Sequence, residues 1–164
     1  MPESRRMKNT SPQHSGPAPI EKVVAYVTRG DRLLVFRHVD VDAGIQVPAG
    51  TLEPGESPSE GVLREAREET GIHSLQIVRF LGARDYDMSD HGNDEIHRRY
   101  HYHLKCVEDT PEVWRHFESD PTGRPQERIE FELYWVQLPD EVPDLAAPQG
   151  DFLPELLESL LSSD

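Results

Sequence analysis

A mixed α/β domain with one sheet and few helices is the fold class that the sequence predicts. Three observations carry it. β-forming runs punctuated by turns occupy 20–48 and 75–138, one stretch near 58–70 carries helix signals at both ends, and the closing segment repeats leucine at helical spacing. The chain's 164 residues suit one domain. Residues 1–19, MPESRRMKNTSPQHSGPAP, are polar, rich in Pro and Ser and without periodicity, so they read as a flexible tail before a domain at 20–164. No apolar h-region follows the early arginines, so the tail does not read as a signal peptide.

The first element, IEKVVAYVTRGDRLLVFRHV at 20–39, reads as two strands joined at Gly30-Asp31, since Val23, Val24, Tyr26 and Val27, then Leu33 to Phe36, are β-formers. A short IQVP follows at 45–48. Next comes the helix at 58–70. Ser57 and Glu60 make a capping box, Pro58 takes the first helical position, and Gly71 stops the helix with Ile72 folding back on it. Strands are expected at 75–84, 97–107 and 129–138. In the last of these, Ile129, Phe131, Leu133 and Trp135 share one face. Leu153, Leu156, Leu157, Leu160 and Leu161 mark a C-terminal amphipathic helix. The polar segment 86–97 reads as turns, and 108–128 as a helical turn or two at PEVWRHF followed by a loop.

A net charge of −14, from 31 acids and 17 bases, argues against nucleic acid polymers and anionic membranes as partners. An acidic chain can still bind a phosphate compound across a metal cation. No apolar run of about 18 residues occurs, so nothing reads as a membrane span. Cys106 is the one cysteine. It excludes an internal disulfide and a thiolate cluster, fits a reducing cytoplasm, and reads as inert packing in a strand.

The helix at 58–70 carries a cost. Val62, Leu63, Ala66 and Thr70 cover its core-facing arc, while Glu65, Glu68 and Glu69 crowd the neighbouring one. Like charges at i+3 and i+4 destabilise a helix by roughly 0.2–0.5 kcal/mol per pair. Glu68 and Glu69 also stand in the last turn, where the helix dipole disfavours anions by roughly 0.3–1 kcal/mol each. A solvated acidic face tempered by Arg64 and Arg67 is the bland account. A divalent cation would turn the repulsion into coordination, and oxygen ligands without Cys suggest Mg²⁺ or Mn²⁺.

Gly50, Glu56, Arg64-Glu65, Ala66, Glu68-Glu69, Gly71 and Ile72 stand at every interval of the Nudix signature, and the chain from about 20 to 161 resembles a Nudix hydrolase of the MutT-like kind. The resemblance implies an α/β/α sandwich with a mixed central sheet. It also implies Mg²⁺- or Mn²⁺-dependent cleavage of a pyrophosphate bond in a nucleoside diphosphate derivative: a dinucleoside polyphosphate, a nucleotide sugar or a nucleoside triphosphate. By the same resemblance Glu68 and Glu69 are metal ligands. Glu65 is a further ligand, or the group that orients or deprotonates the attacking water. Arg64 orients a carboxylate, Glu56 or Glu68. The backbone carbonyl of Ala49 or Gly50 faces the metal. A further carboxylate from outside the signature is expected, with Glu127 or Glu130 favoured over Glu132 and Glu95.

Substrate contacts are expected from Arg99, His101 and His103, which alternate onto one side of a strand, and from Arg37 and Tyr86. Tyr86 stands near the place where the dinucleoside polyphosphate group carries a tyrosine. No proline falls between Ile72 and Pro111, which argues against the ADP-ribose group. Zinc at His97, His101 and His103 is disfavoured because no second shell is evident. A silent nucleotide sensor on this fold would usually have lost signature acids, and all are present. An isopentenyl diphosphate isomerase would need a cysteine at the site, which Cys106 is not placed to supply. The resemblance allows a homodimer.

Overall fold

The computed structural model describes residues 18–89, 92, 94–118 and 128–162. The tail expected at 1–19 lies almost wholly outside the described residues, as does Glu127. In chain order the elements are β1 (Ile20–Arg29), β2 (Arg32–His38), β3 (Ala49–Thr51), α1 (Pro58–Thr70), β4 (Leu75–Asp87), β5 (Ile96–Cys106), β6 (Val113–Phe117), β7 (Glu130–Gln137) and α2 (Leu153–Ser162).

Among the described residues the strands form one mixed sheet in the order β4-β5-β1-β2-β7-β6, with β3 also on β1. Only β1 and β5 run parallel; the other pairings are antiparallel. β1 and β2 are central, and Val23 to Val27 and Leu33 to Phe36 are buried without interruption. That is why both read as continuous apolar runs: each face of the sheet is covered. Val23, Ala25, Val27, Leu34, Phe36, Leu133 and Trp135 pack with Val62 and Ala66 of α1. Val24, Tyr26, Leu33, Val35 and Val136 pack with Phe152 and Leu156 on the α2 side. The layers are therefore helix, sheet, helix. Full burial of one such Val or Leu is worth roughly 1.5–3 kcal/mol, and these two clusters hold the sandwich together.

α2 is also pinned by polar contacts. His103 bridges Thr28 Oγ1 of β1 and Ser159 Oγ of α2, both at 2.7 Å. The Tyr26 hydroxyl donates to the Gln149 carbonyl and accepts from the Phe152 amide. Burial holds the His103 imidazole at about 4, below its ordinary value, so the ring is neutral at pH 7.

The structure differs from the sequence reading at three places. PEVWRHF is not helical: Val113–Phe117 is a strand at the edge of the sheet, paired with β7. Its alternation is short, and the polar loop after it hides the period. The polar stretch 86–97 is partly strand, since β4 runs on to Asp87 and β5 begins at Ile96 as its partner. IQVP makes isolated bridges, Phe36 with Gln46 and Ile45 with Leu145, and the three-residue β3 at 49–51 does the pairing with β1.

Candidate active site

α1 begins and ends on its own sequence signals. Ser57 Oγ accepts from the Glu60 amide at 3.2 Å and Glu60 Oε1 accepts from the Ser57 amide at 3.0 Å. Gly71 sits at φ 78, the left-handed conformation that a helix C-cap demands, and its amide bonds to the Arg67 carbonyl. β6 completes this end. Trp114 Nε1 donates to the Thr70 carbonyl at 3.0 Å and His116 Nε2 to the Glu68 carbonyl at 3.0 Å. Residues 114, 116 and 118 share one face of an extended chain, so the same alternation that caps α1 carries Glu118 to its acidic side.

There Glu65, Glu69 and Glu118 each offer a carboxylate oxygen, and these oxygens lie within 4.8 Å of one another. Glu65 is 4 % exposed and Glu69 8 %. Burial raises the Glu65 carboxyl to about 7 against the pull of Arg64, and Glu68 and Glu118 push the same way as burial. Glu69 is raised well above the carboxylate range by burial, then by Glu65 and Glu118. A solvated acidic face is thus not what the helix presents. Two of its acids are inside the protein, and an enclosed carboxylate must be protonated, paired or bound to a cation.

The backbone before α1 fits closely around these acids. The Ala49 amide donates to Glu69 Oε1 at 2.9 Å. Gly50 lies against Glu65 so tightly that a Cβ there would fall on the Glu65 carboxylate. Arg64 organises the rim. Its Nε and Nη2 clasp both oxygens of Glu56 at 2.7 and 2.9 Å, Nη1 reaches Glu65 and Glu68 at 3.2 Å each, and Nη2 also meets the Thr51 carbonyl at 3.1 Å. The Arg64 hydrogen bond holds the Glu56 carboxyl below its usual value.

Replacing Arg64 by Lys keeps the charge but loses the fork that serves Glu56 and the carbonyl together. With the side chain 20 % exposed, the expected loss is about 1–3 kcal/mol, read as a lower urea midpoint with an unchanged slope.

Glu118 is the acid that sequence reasoning missed. Its signal was the spacing Trp114, His116, Glu118 on a strand, masked when that segment is read as helical. Glu130 lies on β7 between Ile129 and Phe131, which pack on the α1 side, so by alternation it faces the opposite side of the sheet, and Glu127 is outside the described residues. Glu132 is engaged by Arg37 at 2.9 Å and Arg115 at 3.6 Å, and Glu95 by His97 at 3.0 Å.

Of the residues expected to meet substrate, Tyr86, Arg99 and His101 lie on the paired strands β4 and β5, and Arg37 lies apart on β2. Arg37 is the one bound to Glu132. Tyr86 donates to Asp151 Oδ2 at 2.9 Å, and burial and Asp151 raise its hydroxyl to about 12. Arg99 is half-buried with its guanidinium 5.8 Å from the Tyr86 ring centre. His101 has no exposed surface: it stacks on Phe152 at 4.1 Å, neither ring nitrogen finds a hydrogen-bond partner among the described residues, and burial lowers it to about 4. β5 turns His101 and His103 to the α2 side of the sheet, where Phe152 and Ser159 cover them. Cys106 is buried and free, its Sγ 3.3 Å from the Glu108 carbonyl, with its thiol pushed up by burial.

The NUDIX domain pattern matches residues 19–156. "Nudix hydrolase 26, chloroplastic" of Arabidopsis thaliana is 33% identical over 55 residues, 34% of this chain and 26% of that protein. "NAD-capped RNA hydrolase NudC" of Stutzerimonas stutzeri (strain A1501) is 43% identical over 63 residues, 37% of this chain and 23% of that protein. The chain thus spans about a quarter of the length of these two relatives. Among solved structures, the MutT NUDIX hydrolase from Burkholderia pseudomallei superposes with a TM-score of 0.61 at 21% identity, covering 85% of this chain and 99% of that one. That likeness speaks to the fold.

Proposed function

This chain belongs to the NUDIX domain family, and on that premise we propose that it hydrolyses a pyrophosphate bond in a small nucleoside diphosphate derivative, with Mg²⁺ or Mn²⁺ held by Glu65, Glu69 and Glu118. The observation that carries the reading is the trio of carboxylates within 4.8 Å, two of them buried and the third half-buried. Three hard oxygen donors with no sulfur or imidazole suit these two ions. Burial at a helix end that disfavours anions has no stabilising purpose of its own. Bound there, such an ion supplies charge neutralisation for phosphate oxygens and a more acidic water.

The protein's own groups do the rest. Arg64 fixes Glu65 and Glu68 from one nitrogen and is itself fixed by Glu56. Gly50 leaves the Glu65 carboxylate the space it occupies. Glu65, fixed by Arg64 beside the ion it helps to hold, orients the attacking water or takes its proton. No Ser or Cys nucleophile is required, since phosphoryl substitution depends mainly on positioning and charge stabilisation.

Two matched relatives are named for NAD-capped RNA and four as RNA pyrophosphohydrolases. We place small nucleotides ahead of RNA for this chain because a net charge of −14 opposes a long polyanion far more than a short one. A reducing cytoplasm suits the free thiol of Cys106; no helix among the described residues is long and apolar enough to cross a membrane.

The test is a panel of dinucleoside polyphosphates, nucleotide sugars and nucleoside triphosphates with Mg²⁺ or Mn²⁺, scored for phosphate or nucleoside monophosphate release. At least one class is turned over, and Glu118→Ala lowers that rate roughly 10–100-fold, the cost usual for weakening a metal site. An inert panel would favour a nucleotide-sensing module instead. Full activity in Glu118→Ala would remove that residue from the site.

A further inference from the structure

Across the sheet from α1's acids lies a row of cations that the mechanism does not use. Arg84 on β4 pairs in register with Arg99 on β5, and Arg99 pairs with Lys22 on β1. Register partners on neighbouring strands point to the same face and stand about 4.8 Å apart. Three positive side chains thus share one transverse line in a protein whose net charge is −14.

Arg84 is already engaged, with Asp151 at 3.4 Å and the face of Phe152 at 4.9 Å. The other two form no ion pair among the described residues. Lys22 Nζ donates to Thr51 Oγ1 at 2.9 Å, and Arg99 Nη2 to His97 Nδ1 at 3.2 Å. A guanidinium can only donate, so His97 carries its proton on Nε2 and gives it to Glu95 Oε1 at 3.0 Å. The nearby acid is thereby spent on His97. Arg99 Nε is buried with no hydrogen-bond partner among the described residues. Burial, then Arg99 itself, hold the Lys22 ammonium below the usual lysine value. Two adjacent, half-buried cations without a direct ion pair among the described residues are, in so acidic a chain, as anomalous as the acids on α1, although Glu65 and Glu95 pull on the Lys22 ammonium from a distance.

Their position says which anion. Thr51 takes the Lys22 ammonium on its hydroxyl and gives its carbonyl to Arg64 at 3.1 Å, and Arg64 holds Glu65. The residue before Thr51 is Gly50, which touches the Glu65 carboxylate. One short strand therefore separates the cation pair from the carboxylate trio. We infer that Lys22 and Arg99 bind a phosphate group of the substrate, the one that the carboxylate trio does not hold, and so select for substrates that carry a further anionic phosphate beyond the reacting one. The inference rests on the proposed function for its substrate, but its geometry is independent of any metal.

The experiment titrates inorganic pyrophosphate into the metal-free protein in EDTA by calorimetry, where the acids of α1 repel it and the cation pair alone attracts it. Wild type binds. Lys22→Met and Arg99→Met, which keep the apolar stems, each weaken binding at least tenfold, and Arg99→Lys recovers most of it. With a hydrolysed substrate the same Met variants raise KM at least tenfold and leave kcat within about threefold; unchanged thermal midpoints confirm that they fold. Equal pyrophosphate affinity in wild type and both variants, or no binding by wild type, overturns the inference. Pyrophosphate binding lost in the variants while no nucleotide is hydrolysed would instead leave the anion site standing and bring down the proposed reaction.

Discussion

Glu69→Gln abolishes hydrolysis and, in the same protein, raises the melting temperature measured without metal. The two effects have one cause. Glutamine keeps the shape and still accepts from the Ala49 amide, now 2.9 Å from Glu69 Oε1, but it removes a charge that burial, Glu65 and Glu118 all oppose. Loss of a ligand charge forfeits several kcal/mol of stabilisation at the phosphate, which at about 1.4 kcal/mol per tenfold is roughly a 10²–10³-fold fall in rate. The stability change has a pH signature. A carboxyl raised in the folded state favours folding while it can stay protonated, below the unfolded value near 4.5, and loses that contribution as pH rises through its folded value. For Glu65 that window runs from 4.5 to about 7, and for Glu69 it extends further in the same direction. The metal-free wild type therefore melts at a lower temperature at pH 8 than at pH 5, and Glu69→Gln flattens the slope. Millimolar Mg²⁺ or Mn²⁺ restores wild type, since a ligand at a hundred times its Kd adds about 2.7 kcal/mol, and does little for the variant. Full activity in Glu69→Gln, or a metal-free midpoint that drops, contradicts the account.

Gly50→Ala is expected to cost roughly 100-fold in kcat while leaving the fold in place. The obstacle is contact, not backbone conformation. An added Cβ falls on the Glu65 carboxylate. β3 cannot retreat easily, because Gly50 is paired with Val23 of the central β1 and Ala49 with Val24. Glu65 has to move instead, and it leaves Arg64 and the trio when it does. A displacement of about 1 Å in a catalytic group can cost 10²-fold. Mn²⁺ affinity falls in parallel, and far-UV circular dichroism stays native. A fully active Gly50→Ala enzyme would mean that Glu65 does no work in the position described here.

Much of this was legible in the residues because the signals were local. Ser57, Pro58, Glu60 and Gly71 mark α1 at both ends, and its bounds match the expectation at 58–70. The spacing of Glu65, Glu68 and Glu69 shows a cost without showing that two of them are buried; burial depends on Gly50 and Ala49 arriving from another strand. Glu118 was hidden for a related reason. Its claim on the site comes from β6 pairing with β7 and from Trp114 and His116 reaching the end of α1, and no window of sequence contains both partners. His101 misled in the other direction. Its alternation with Arg99 is real, but the sequence does not tell which face the C-terminal segment covers, and Phe152, just before α2, covers His101.

The most direct test is a crystal soaked in Mn²⁺ and examined by anomalous scattering. A peak bounded by carboxylate oxygens of Glu65, Glu69 and Glu118, absent in crystals of Glu69→Gln, is what the account predicts. Saturating Mn²⁺ that leaves this trio empty, with the ion found only elsewhere on the acidic surface, would contradict it.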